Sequence, residues 1–416
     1  MAHWTALQGE DNAEPIDLPV YDVNFLIRIF GRAWEANDLW DTDVKAIPLP
    51  SSTILRRMDL LGFTDRDMLS DFSHMRESWL TGLRSLCRRW TSDGSLSEED
   101  KDDVEGLQDL IATNLEVDKL RQWSTKNARI LKILLYYWAE IEDENYPSDS
   151  TGIRVALQSF PPEELVYATI SQDYLLATIP KDVEWHEDKF PLPSSLSLMF
   201  RNLAWKNTKP IVLVEGTFDS KVLNTVFEVR FPDYTDYLSI ADFTQGAEGG
   251  ASGLVRTLRT LAQLAIPNTI LGLFDNDAAG REAINALQKS ALPANIGFET
   301  YPDLQFAKAY PTIGPTGPAN ADINGKALSI ELFLGMDCIK EGTDMLPIEW
   351  TGLNHRMQVY QGSIINKKLV QKRFEEKIAR ARNGVVNSID DWSSLDLLGN
   401  FAMHAIAQIS ALRGTR

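Results

Sequence analysis

Cysteine is scarce in this chain. Its two cysteines, Cys87 and Cys338, lie far apart in 416 residues. That is too few for a disulfide framework or for a zinc site built on cysteine pairs, and it suits a reducing cytoplasm. Histidine is scarce as well: His3, His74, His186, His355 and His404 fall in no metal-ligand spacing. No run approaches the roughly 20 apolar residues of a membrane-spanning helix. The opening MAHWTALQGEDNAEP has neither the basic flank nor the apolar core of a signal peptide. A cytoplasmic protein with no membrane partner is expected. A Walker A motif is also missing. In ANADINGKALS, Asn320 stands where the first glycine belongs and Ala327 where Ser or Thr belongs, which excludes a P-loop ATPase.

An excess of basic charge is the other absence. The formal net charge is −18, whereas proteins that grip phosphate backbones are usually basic. The acidity is uneven, however. Residues 1–200 carry 19 Lys and Arg against 36 Asp and Glu, while the rest carry 22 against 23. Within that second half, Lys367–Arg382 holds seven basic residues and two acids, Glu375 and Glu376. A solvated helix face and a phosphate contact, through Lys372 and Arg373 among others, explain such a stretch equally well.

Apolar residues recur at helical spacing in VNFLIRIFGRAWEA and in ARILKILLYYWAEIE, so residues 20–145 read as mostly helical. NYPSDSTG (145–152) is a turn-rich break, and PPEELVYATI reads as a further helix with a proline-led first turn. The texture changes at Lys209. IVLV (211–214), YLSIA (237–241), TILGLF (269–274) and, more weakly, IGFETY (296–301) are short apolar runs of the kind buried on both faces of a parallel sheet. Helical patterns alternate with them at Asp219–Phe227, Gly253–Leu264 and Ala278–Lys289. That alternation implies right-handed βαβ units in an open sheet, with ligands outside the carboxyl ends of the strands. The expected organisation is an acidic helical domain at 1–150, a helical connector at 151–208, an α/β core at 209–310 and a largely helical extension at 311–416.

Three acids sit where that rule directs attention. Glu215 follows IVLV directly in VEGTFD, and Asp275 and Asp277 follow TILGLF in FDNDAAG. Residues i and i+2 of an extended segment point the same way. Carboxylates crowded together, with no His or Cys beside them, select Mg²⁺ or Mn²⁺. Such an ion suits phosphoryl-transfer chemistry. A lone D-x-D is usually a solvated loop; two strand-terminating acidic elements in order are much rarer.

IVLVEGTFDSKVL followed by ILGLFDNDAAGREA resembles the TOPRIM signature, an apolar strand ending in Glu-Gly and a later one ending in Asp-x-Asp with a following Gly. The likeness covers about 80 residues. It implies a Rossmann-like domain with a parallel sheet of about four strands, Mg²⁺ (or Mn²⁺) at Asp275 and Asp277, and Glu215 as metal ligand or acid–base group. Two later elements are similar to the OLD-family nuclease branch: Ser329-Ile330-Glu331, which in those enzymes completes a second metal site, and Lys367 or Lys368, matching a lysine beside the scissile phosphate. Glu331 also reads as an ordinary first-turn acid. LPSSTILRRMDLLGFT (49–64) resembles the segment preceding TOPRIM in HEPN/Toprim-associated proteins. HEPN ribonucleases normally show an Arg followed four to six residues later by a His; that pairing is absent here, and Asn400 and His404 come nearest.

The loop TQGAEGGASG (244–253) and the amino end of the next helix, with Arg256 and Arg259 on it, are candidates for phosphate contact; a plain connection is the commoner case. The resemblance thus implies a Mg²⁺-dependent endonuclease, DNA ahead of RNA as substrate. By analogy it suggests anti-phage defence, with a homodimer or a separate ATPase or defence-complex partner. The alternatives are a non-catalytic assembly subunit and a topoisomerase or nucleotidyl-transfer enzyme, although no tyrosine lies in a recognisable nucleophile context.

Overall fold

The computed structural model describes residues 5–9, 16–18, 43–45, 48–66, 149–158, 160–171, 209–241, 249–385 and 387–413, with isolated positions between them. The chain divides into two compact units, Met1–Lys206 and Asn207–Arg416.

The first unit contains a five-stranded sheet. It is built from β1 (Thr5–Gly9), β2 (Ile16–Leu18), β3 (Asp43–Lys45), β4 (Leu49–Pro50) and β5 (Leu165–Ser171), in the order β2-β1-β5-β3 with β4 also beside β5. All its pairings are antiparallel. The strands at 5–9, 16–18 and 43–45 stand in or beside the stretch expected to be mostly helical, and one expectation is corrected: LVYATIS, expected as helix, is the central strand. Tertiary pairing decides the case. Val166 and Ala168 are fully buried at alternate positions, the period of a strand. The preceding prolines lie in a turn, where Pro161 accepts a 2.7 Å hydrogen bond from Ser51 Oγ. Helices α1 (Ser51–Leu61) and α2 (Asp149–Gln158) pack together. The buried Arg154 of α2 reaches Asp59 and Asp65, each at 2.8 Å. Arg57 is spent on the carbonyls of Ile29 and Phe30. Most of the expected helical stretch 20–145 lies outside the described residues.

The second unit is α/β. Its parallel sheet runs β10-β8-β6-β7, with β6 (Ile211–Val214), β7 (Ser239–Ala241), β8 (Ile270–Phe274) and β10 (Ile296–Thr300). Every residue of β8 is buried, which is why the run carries no polar alternation. Helices α3 (Thr217–Arg230), α4 (Ala251–Gln263) and α5 (Ala278–Gln288) fall between the strands as the pattern required. Leu254, Val255 and Leu258 of α4 and Ala283 and Leu287 of α5 close one apolar core with Leu213, Ile270 and Phe274. Burying a side chain such as Phe274 contributes about 2–3 kcal/mol.

The expectation of a largely helical extension is also corrected. A mixed sheet in the order β12-β11-β16-β17 forms from β11 (Tyr310–Gly314), β12 (Gly317–Ala321), β16 (Ile348–Asn354) and β17 (Val359–Ile364). Two small pairs accompany it: β9 (Asn276–Asp277) with β13 (Ala327–Leu328), and β14 (Lys340–Glu341) with β15 (Asp344–Met345). A single-turn α6 (Met336–Ile339) and then α7 (Lys367–Arg382) and α8 (Ser393–Arg413) complete the unit. The last helix returns to the parallel sheet, where Ile409 fills the space beside Gly297 that a side chain would need.

Candidate active site

Three neighbouring parallel strands end in polar groups at one edge. In the register of β6 against β8, Val214 faces Leu273, so Glu215 leaves its strand beside Asp275. Glu215 Oε1 accepts the backbone N–H of Asp275 at 2.9 Å. Tyr301 continues β10, its N–H donating to the Phe274 carbonyl at 2.8 Å. Its buried hydroxyl donates to Asp219 Oδ1 at 2.8 Å, and its ring meets Phe333 edge-on at 5.5 Å. Asp219 stands in the first turn of α3. Asp277 caps α5 by accepting the Gly280 N–H at 2.7 Å. Glycine is required at 280, because a Cβ there would lie 2.0 Å from the Asp275 carbonyl oxygen.

The β9–β13 pairing draws the extension to this edge. It sets Ala327 opposite Asp277, and the Ile330 N–H donates to Asp275 Oδ1 at 3.2 Å. Glu331 is thereby buried, fully shielded from solvent. Its oxygens accept from Ser329 Oγ at 2.8 Å and Gln371 Nε2 at 3.0 Å, and Lys367 Nζ lies 3.0 Å from Oε1. Lys367 opens α7, directly after the turn that follows β17.

Burial governs the protonation of these acids. It pushes Glu215 up from its ordinary range to about 8, helped by the charges of Asp277 and Asp219 and opposed by the N–H groups of Asp275 and Ala251. Burial raises Asp219 to about 6, with the Tyr301 hydroxyl holding it down and Glu331 adding to the rise. Asp275 is driven well above the carboxylate range by burial and by Asp219, Glu215, Asp277 and Glu331 around it. Asp277 is raised by burial, against the pull of Gly280, Ala279 and Lys367. Burial works against charge on Lys367, yet Glu331, Asp275 and Asp219 hold it above its ordinary value.

Glu215, Asp275, Asp277, Glu331 and Lys367 are therefore brought together. The other candidates are placed differently. Lys368 is exposed one position on. Arg259 joins α4 to α5 through Ser290 Oγ and the Ala286 carbonyl. Arg373 donates to the carbonyls of Cys338 and Lys340. Lys372 pairs loosely with Glu376 at 3.8 Å, and Arg256 is exposed on α4. Residues 242–248 of the glycine-rich loop lie outside the described residues. The amino end of α4 turns toward Glu215, whose carbonyl accepts the Gly250 N–H at 2.9 Å. Asp219, Tyr301 and Gln371 are additions that sequence reasoning missed. Asp219 carried a usable signal, four residues after Glu215 and one turn into α3.

The donor set suits a hard divalent cation: carboxylates that repel one another in a buried setting, without His or Cys. Among the described residues, no group of three or more His, Cys, Asp or Glu is already convergent on a metal position. Glu215 and Asp277 direct oxygens at backbone N–H groups instead. Comparison of the chain with protein-family models, curated proteins and solved structures finds no match.

Proposed function

We propose that this protein is a TOPRIM-type, Mg²⁺- or Mn²⁺-dependent nuclease that hydrolyses nucleic-acid phosphodiesters. One observation carries the proposal: four acids from separate strand ends and from the extension, Glu215, Asp275, Asp277 and Glu331, adjoin at the carboxyl edge of a parallel sheet with Lys367 against them. Those four would hold the cation, which would neutralise phosphate charge and lower the pKa of an attacking water. The chain's own groups divide the remaining work. Glu215, whose Oε1 accepts the Asp275 N–H beside the other acids, would take up the proton of the attacking water. Lys367 offsets negative charge building on the phosphate oxygens. DNA is favoured over RNA, and a role in anti-phage defence rests on analogy alone.

The test is cleavage of plasmid, single-stranded DNA and RNA by purified protein in Mg²⁺, Mn²⁺ or EDTA, beside Glu215→Ala and Asp275→Ala. Metal-dependent cutting lost in both variants supports the proposal; cutting that survives either one refutes the site. A second reading is a non-catalytic docking module. It is favoured by the way the acids are already satisfied within the chain, Glu215 and Asp277 by N–H groups and Glu331 by Lys367. Intact folding with no cleavage in any metal would favour it.

A further inference from the structure

Arg281 and Lys326 both adjoin Asp277 through the backbone, and among the described residues neither makes an ion pair. Arg281 follows Gly280 in the first turn of α5, immediately beyond the residue that Asp277 caps. Its guanidinium lies against Gly325, whose φ is +72°. A Cβ built on Gly325 would fall 1.8 Å from Arg281 Cζ, so the glycine leaves the room that the guanidinium fills. The next residue, Lys326, is tied to the site through its backbone: it bridges Asp277, and its carbonyl accepts the Ala278 N–H at 3.4 Å.

Other guanidinium groups of this unit are spent. Arg230, Arg356, Arg380 and Arg382 each hold a carboxylate, and Arg259 and Arg373 hold carbonyl or hydroxyl oxygens. Arg281 differs. It is exposed, and among the described residues its one hydrogen bond is a long 3.4 Å contact to Asn276 Oδ1, beyond the range of a strong N–H···O bond. Lys326 makes no ion pair or side-chain hydrogen bond among the described residues. Lys326 follows Gly325, against which the Arg281 guanidinium lies, so both cations belong to one stretch of surface. A guanidinium fixed by packing, with most of its donors unspent, matches a phosphate in two-pronged geometry at little entropic cost.

We infer that Arg281 and Lys326 bind a backbone phosphate of the nucleic-acid strand, next to the phosphate that the acid cluster addresses. The inference rests on the proposed nuclease reading and adds to it the residues that seat the strand. Arg281 and Lys326 act in binding, so their loss raises KM and leaves kcat nearly unchanged.

The experiment compares wild type with Arg281→Ala, Arg281→Lys, Lys326→Ala and, as a control, Lys289→Ala at the far end of α5. It measures cleavage kinetics on a labelled oligonucleotide, and its binding in EDTA by fluorescence anisotropy over a range of salt. The expected result is about a tenfold rise in KM for Arg281→Ala with kcat within about twofold, a smaller rise for Arg281→Lys, and no change for Lys289→Ala. The slope of log affinity against log salt should fall by about 0.7–0.9 for each lost phosphate contact. Wild-type cleavage that Arg281→Ala and Lys326→Ala leave unchanged in KM and salt slope overturns this inference alone. A folded wild type that neither binds nor cuts nucleic acid overturns it together with the nuclease reading.

Discussion

Replacing Glu215 by Gln should make the metal-free protein more stable at alkaline pH. Burial raises the Glu215 carboxyl from 4.5 to about 8, so folding favours its protonated form. Stability from this group is complete below the unfolded value and is lost as pH climbs through about 8. At about 1.4 kcal/mol per tenfold, the full difference amounts to about 5 kcal/mol. Gln keeps an oxygen to accept the Asp275 N–H and cannot ionise. Between about pH 5 and about pH 9, wild type should therefore lose about 4 kcal/mol more than Glu215→Gln. Urea denaturation in EDTA reads this, with hydrogen exchange of the β6 and β8 peptides assigning the transition to the second unit. Saturating Mn²⁺ should flatten the wild-type slope, because a cation offsets the repulsion. Parallel pH slopes for wild type and variant would refute the reasoning.

Three other substitutions test the site's construction. Lys367→Met leaves the buried Glu331 without its cation and should cost about 2 kcal/mol, tempered because the lysine is half exposed; Lys368→Met should leave the melting temperature unchanged. Tyr301→Phe keeps the ring contact with Phe333 but removes the donor to Asp219, costing about 1–2 kcal/mol in chemical denaturation. It should also move the Asp219 titration up from about 6, read by carbon NMR. Gly280→Ala drives a methyl into the Asp275 carbonyl and should cost about 3 kcal/mol or more, seen as loss of folded protein on expression.

What the sequence revealed follows from how each segment is buried. Strands β6 and β8 are covered on both faces, so they read as unbroken apolar runs, and the rule about strand ends then pointed to Glu215, Asp275 and Asp277. Strands β11, β12, β16 and β17 are half exposed. Glu349 and Thr351 face solvent in β16, which also carries a bulge, and Pro311, Gly314, Gly317 and Pro318 interrupt the pattern in the hairpin before it. Periodicity has little to work with there. β5 was hidden for a different reason: the prolines that precede it imitate a helix start, and only the pairing with β1, β3 and β4 shows the strand. Asp219 and Arg281 drew no functional reading from the sequence. Their roles come from contacts with Tyr301 and Gly325, 82 and 44 residues away in sequence. Periodicity carries no such long-range information.

The cation site is the central claim, and calorimetric titration of the metal-free protein with Mn²⁺ tests it most directly, with wild type beside Asp275→Asn. The expected result is saturable binding by wild type, with proton release near neutral pH as the raised carboxyls ionise, and loss of that binding in Asp275→Asn. A folded wild type that takes up no Mn²⁺, or an Asp275→Asn variant that binds it equally well, would contradict the assignment of these acids as a metal-holding catalytic centre.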